Sequence, residues 1–252
     1  SLSADEIDPG GAKLFASEFE RTTSFLSVGG VAAVHSAGRD RESIWNALKR
    51  REVYGTSGAR ILLWFDLVDQ EVLHPMGSAV VSKSNPTFQV KALGSFKQLP
   101  GCPEYVVEAL QRQHLEKMSL GECYHPSEDR YEIIRIEVVK ILPQKVDGEE
   151  VASLIDDKWR VFDCAPSIDG CAVSFTDSEF AVQGRDAVYY VRAIEEPIPT
   201  INGENLRVNF DSSGQALESD GCFGDYRIDA DDDCLQMASQ RAWSSPIFVD
   251  FN

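Results

Sequence analysis

The sequence predicts an α+β fold dominated by β structure: an immunoglobulin-like β-sandwich preceded by the closing strand–helix unit of an α/β domain. Three observations predict it. Beyond Arg60, short apolar runs of strand length recur between Gly- and Asp-containing turns. Past that point only Tyr105 to Met118 carries apolar residues at helical spacing. The run from Arg185 to Ala193 sets Tyr189 and Tyr190 ahead of alternating Val and Ala, as in a sandwich strand whose tyrosine hydroxyl ties it to a neighbouring turn.

The elements follow in chain order. Leu14, Phe15 and Phe19 predict a short helix over Ala12 to Arg21. Gly29 and Gly30 lead into Val31 to Val34, an apolar run short enough for a buried strand. Asp40 is a suitable N-cap for a helix whose apolar face is Ile44, Trp45, Ala47 and Leu48. Lys49, Arg50 and Arg51 fall in its last turn, where the helix dipole favours cations. Gly55 then reads as a helix-stop or turn glycine, with Gly58 closing the same turn. Strands are predicted over Ile61 to Val68, Thr87 to Leu93, Tyr131 to Leu142, Val173 to Phe175, Ala187 to Ile194 and Ser245 to Phe251. The inserted helix, about 103–118, is entered through Pro103. Thr200 to Asp233, rich in Asn, Asp, Ser and Gly, is expected to be mostly loop. The change of period places a boundary near Arg60, giving domains 1–60 and 61–252.

The chain has 252 residues and a net charge of −17. A nucleic-acid binder needs clustered Lys and Arg, so this balance excludes that class, and it disfavours an anionic membrane surface. No apolar run reaches the length of a membrane span. The start, Ser1-Leu2-Ser3, reads as processed or truncated, as in a piece of a longer protein. The six cysteines, Cys102, Cys123, Cys164, Cys171, Cys222 and Cys234, sit beside turn residues and form no Cys-x-x-Cys pair. That suits disulfides in an oxidising compartment, hence an exported, periplasmic or extracellular protein. Neighbour logic favours Cys102–Cys123, Cys164–Cys171 and Cys222–Cys234, although sequence does not fix connectivity.

Chemistry-bearing motifs are sparse. There is no Gly-x-Ser-x-Gly elbow. His35, His74, His114 and His125 are scattered, with no His-x-His or Asp-x-His. Asp229, Asp231 and Asp233 have the alternate spacing that lets carboxylates surround Ca²⁺, against the plainer reading of a solvated acidic loop. The turn Gly55-Thr56-Ser57-Gly58 lacks a Gly-Lys-Thr/Ser ending and precedes no helix N-terminus, so it fails as a phosphate loop. His35 ends a strand before Ser36-Ala37-Gly38 and is the sharpest single candidate for an active-site approach, against a capping or core role. Trp159, Tyr190 and Trp243 are candidate ligand contacts on a sandwich, with packing as the alternative.

The stretch "GGVAAVHSAGRDRESIWNALKRREVYGTSGARILLWF", with "YYVRAIEEP" and "RAWSSPIFVD", resembles a large bacterial family catalogued as domain-of-unknown-function family three-six-zero-four. Its relatives are similar to metal-dependent hydrolases of the PHP (polymerase and histidinol phosphatase) superfamily. The resemblance implies a distorted α/β barrel that binds divalent metal through His-x-His, further His and acidic residues, and Asp-x-His. None of those motifs has a counterpart here. It therefore implies that residues to about Arg60 finish a PHP-like barrel, and that the upstream domain of the same protein is the partner. The expected function is an accessory region of such a hydrolase, inert alone. The alternative is a ligand- or partner-binding module of an exported protein, stabilised by calcium.

Overall fold

The computed structural model describes residues 29–119, 123–201, 207–220 and 235–252. The chain is mainly β, with several sheets. The first strand, β1 (Val31–Val34), precedes helix α1 (Arg41–Lys49), and β2 (Val53–Thr56) returns antiparallel to β1. Asp40 caps α1 by accepting from the Ser43 N–H at 2.9 Å. That bond satisfies one of the donors a helix start leaves open.

Four strands build a small antiparallel sheet in the order β11 (Cys171–Thr176), β6 (Thr87–Leu93), β3 (Leu62–Asp69), β4 (Val72–Pro75). The larger, eight-stranded sheet centres on β12 (Ala187–Ile201). One edge of β12 pairs with β9 (Ile133–Ile141), which carries β10 (Ile155–Asp163) outside it. The other edge pairs first with β16 (Ile247–Asp250) and then with β15 (Leu235–Ser244). Beyond β15 lie β2 and β1, and beyond β16 lies β5 (Ala79–Val81), paired in parallel.

Strand alternation dictates which side chains meet. Leu63, Phe65 and Leu67 of β3, with Phe88 and Val90 of β6, face Ile136 and Val138 of β9 and Tyr189 and Val191 of β12, all buried. Phe88 lies 4.7 Å from Tyr189 and 5.5 Å from Phe65 between ring centroids. Each fully buried side chain of this size contributes roughly 1.5–3 kcal/mol.

Several expectations are corrected. Gly55 is no helix stop. It lies inside β2, opposite Ala32 on one side and Trp243 on the other. Helix α1 ends earlier, through Arg50 and a left-handed Arg51 (φ 61°). The space where a Gly55 Cβ would sit is open. Gly55→Ala is therefore expected to change stability by less than about 1 kcal/mol. Gly58, at φ 126°, is the turn glycine, and its replacement by Ala costs more. A pair of thermal melts checks this order.

The boundary expected near Arg60 is bridged by pairing: β2 bonds to β15, and Tyr54 joins the same core as Ile61. The single helix expected over about 103–118 is two, α2 (Glu104–Leu110) and α3 (Arg112–Ser119), broken at a left-handed Gln111 (φ 62°). No Gly or Pro marks that break. The loop expected over Thr200 to Asp233 contains a hairpin, β13 (Arg207–Phe210) with β14 (Ala216–Asp220). The helix expected over Ala12 to Arg21 lies outside the described residues.

Among the described residues two disulfides form, Cys102–Cys123 and Cys164–Cys171. The first closes the arm made by β7 (Phe96–Pro100), α2, α3 and β8 (Tyr124–Arg130). Cys222 and Cys234 lie outside the described residues. Titration of denatured, unreduced protein is expected to find no thiol at those four positions, hence at most two of the six cysteines reactive. A higher count contradicts the pairing.

Candidate functional site

On β3, Leu63, Phe65 and Leu67 point into the core, so Trp64 and Asp66 point to the opposite face of the small sheet. Register sets Trp64 beside Lys91 and, across β6, Ala172. Asp66 lies beside Gln89 and then Ser174. These side chains line a groove of about 610 Å³. Gln89 Nε2 donates to Asp66 Oδ2 at 3.4 Å. Burial pushes the Asp66 carboxyl above the ordinary carboxylate range, against the opposing pulls of Gln89 and His35.

His35 packs beside this face. Its backbone N–H donates to Glu52 O at 2.9 Å, continuing the β1–β2 pairing. Its Nε2 lies 2.8 Å from Leu63 O, and a carbonyl only accepts, so Nε2 carries the proton. The ring packs 5.4 Å from Tyr54 and 5.8 Å from Trp64. His35 is thus a packed, tethered residue that fixes the indole beside it.

A second polar cluster is enclosed between the sheets. Lys140 Nζ lies 2.6 Å from Asp177 Oδ2, with side chains 5% and 1% exposed. Tyr189 donates its hydroxyl to the same Asp177 oxygen at 2.6 Å, and Glu179 N–H donates to Asp177 Oδ1 at 3.0 Å. Lys140 also donates to Gln183 Oε1 at 2.9 Å and lies 5.3 Å from the Trp159 ring. Burial disfavours the Asp177 carboxylate, yet its bonds from Lys140, Tyr189 and Glu179 hold its pKa below the ordinary value. Burial, then the neighbouring Asp177, pushes the Tyr189 hydroxyl pKa up. Every strong donor and acceptor in the cluster has a partner, which suits a strut between layers.

At Tyr189, where a tie to a neighbouring turn was expected, the hydroxyl donates to the Asp177 carboxylate, just after β11. Tyr190, its neighbour, faces away from the core row of β12. Trp159 packs on Phe175 and Tyr189, at 6.0 Å and 5.8 Å, and serves the core. Trp243 lies on β15 between Gly55 and Arg192. Ser57 of the former phosphate-loop candidate is spent on β15: its hydroxyl donates to Gln240 Oε1 at 2.7 Å, and Arg241 N–H donates back to it at 2.9 Å. Asp229, Asp231 and Asp233 lie outside the described residues. Among the described residues no three His, Cys, Asp or Glu side chains gather as a metal site would require.

Sequence reasoning passed over Lys140, Asp177, Trp64 and Asp66. The signal for three of them was parity. Lys140 shares the inward parity of Ile136 and Val138, while Trp64 and Asp66 have the outward parity of β3. Asp177 follows the end of β11 and had no such signal.

The family model described as "Protein of unknown function (DUF3604)" matches residues 8–250. No curated protein and no solved structure matches the chain.

Proposed function

The chain belongs to the family of proteins of unknown function DUF3604, and from that premise we propose that it is a C-terminal accessory region of a PHP-like, phosphoesterase-like metal-dependent hydrolase, inert in catalysis alone. The observation that carries this reading is the outward face of α1. Ile44, Trp45 and Leu48 are 37%, 56% and 44% exposed, and with Arg41 and Glu42 they line a trough of about 620 Å³. An apolar helix face of this kind is the mark of a surface made to be covered. The piece that resembles the end of a barrel is the same piece that carries the face. The divalent metal belongs, on this reading, to the upstream PHP-like domain, and no step through it is assigned to the described residues.

The alternative is a ligand- or partner-binding module in which the groove beside Trp64 does the work, with an immunoglobulin-like sandwich as its frame and calcium at Asp229, Asp231 and Asp233. The groove favours it. Two disulfides support an exported location under either reading. No helix among the described residues is long and apolar enough to cross a membrane. The net charge of −17 supports the absence of a nucleic-acid partner.

The coding sequence immediately ahead of Ser1 tests the proposal. His-x-His and Asp-x-His motifs are expected there. A leader without them removes the hydrolase reading and leaves the module.

A further inference from the structure

We propose that the groove on the outer face of the small sheet binds a neutral carbohydrate, with Trp64 as its stacking platform and Asp66, Gln89 and Lys91 as its hydroxyl contacts. The site goes beyond the accessory-region reading and does not depend on it.

The argument starts from what each side chain still has to offer. Trp64 packs against His35, whose ring is tethered to Leu63 O at 2.8 Å. In its row Trp64 lies beside Lys91, and beyond Lys91 comes the small side chain of Ala172. Asp66 has one hydrogen bond, the 3.4 Å contact from Gln89, among the described residues. A carboxylate has room for several more donors. Its partial burial strengthens any bond made to it. Lys91 is exposed and makes no ion pair among the described residues. The Ser174 hydroxyl donates to Phe88 O at 3.0 Å, which leaves its oxygen to accept.

The groove therefore offers one flat apolar surface and a row of alternating acceptors and donors. A sugar ring presents the complement: a patch of C–H groups on one face, and vicinal hydroxyls that each donate and accept. Charge decides against the other small ligands. An organic cation that suited Trp64 and Asp66 would meet Lys91, and an anion drawn to Lys91 would meet Asp66. The volume of about 610 Å³ is within the usual range for small-ligand clefts. An extended peptide would seek a sheet edge, and this is a sheet face.

The test uses the whole chain. A neutral-glycan array is followed by calorimetric titration with cellohexaose, maltohexaose, xylohexaose and mannohexaose, and with choline and sulfate as charged probes. At least one neutral glycan is expected to bind saturably. Trp64→Ala is expected to weaken that binding about tenfold or more, and Asp66→Asn and Lys91→Ala several-fold. Trp64→Phe keeps a ring and is expected to retain part of the affinity, which separates loss of stacking from loss of fold. Val182→Ala, at an 89% exposed position, is expected to bind as the parent does. If Trp64→Ala melts early, the two surface variants must still show the loss. Binding of choline or sulfate in place of every glycan, binding of no glycan, or glycan binding unchanged in Asp66→Asn and Lys91→Ala overturns the proposal. None of these outcomes bears on the upstream sequence motifs, so the two readings fail separately.

Discussion

Lys140→Met is expected to destabilise the protein by roughly 3–5 kcal/mol, since it leaves Asp177 as a buried carboxylate without its cation. The hydrophobic replacement fills the space of the lysine stem, so lost packing accounts for little of the cost. Tyr189→Phe removes one charge-assisted bond and is expected to cost about 1.5–3 kcal/mol. The double variant Lys140→Met/Asp177→Leu should recover most of the loss, because the pair is expensive to break and far less expensive to replace. Urea melts of the four proteins check the order.

The pH dependence separates charge from packing. The folded protein holds the Asp177 pKa below its ordinary value, so the stability it contributes is present above about pH 4 and is lost as pH falls through the lowered value. In Lys140→Met the carboxylate lacks its cation, and protonation relieves it. The deficit against the parent should therefore begin to shrink on acidification already above about pH 4, where the variant's unpaired carboxylate takes up its proton, and shrink further below it as the parent loses its own contribution. A deficit independent of pH would assign the loss to packing. Glu149, held to a pKa of about 2 first by the Arg185 guanidinium and then by Lys145 N–H, adds to acid sensitivity in both proteins alike. Glu195, raised by burial, acts in the opposite sense: its penalty is relieved as pH falls.

Gly94→Ala is the second large effect, expected to cost roughly 3 kcal/mol or more. A Cβ at Gly94 would collide with the Tyr131 carbonyl, which is backbone and not the far end of a flexible side chain. The crowding has a cause. Gly94 and Ser95 follow β6 and meet the segment that leads into β9: Tyr131 N–H donates to Ser95 O at 2.9 Å, and Arg130 Nη1 donates to Gly94 O at 2.6 Å. Glu195, fully buried on β12, accepts from the Ser95 N–H and, at 3.2 Å, from the Ser95 hydroxyl. The knot fastens the small sheet to the large one at one end, as Lys140 and Asp177 do nearer β11. A melt of Gly94→Ala within about 1 kcal/mol of the parent would show that the backbone yields there after all.

What the sequence revealed depended on burial. Strand β6 spans the predicted Thr87 to Leu93, and β3 is shifted by one residue, because both pack a strict inner row of apolar side chains. Strands β7, β8 and β10 were not foreseen. All of β7 and most of β8 and β10 are exposed, so nothing selects an apolar period, and Tyr124 to Arg130 reads as polar loop. β2 was hidden by Gly55, whose usual meaning in a turn was overridden by pairing on both edges. The mainly β class and the two described disulfides were legible. The Lys140–Asp177 pair was not, because it joins residues 37 positions apart and only the stacking of two sheets brings them together. The groove was half legible: the alternation around Trp64 was visible, but its row partners on β6 and β11 came from register alone.

The accessory-region account makes one claim above the rest: this chain does not break bonds by itself. Purified chain and the full gene product should be assayed side by side against aryl and alkyl phosphoesters, with Mn²⁺, Zn²⁺ or Mg²⁺ added. The account predicts metal-stimulated turnover by the full product and none above the metal-only blank by the chain. Metal-stimulated hydrolysis by the chain alone would contradict it.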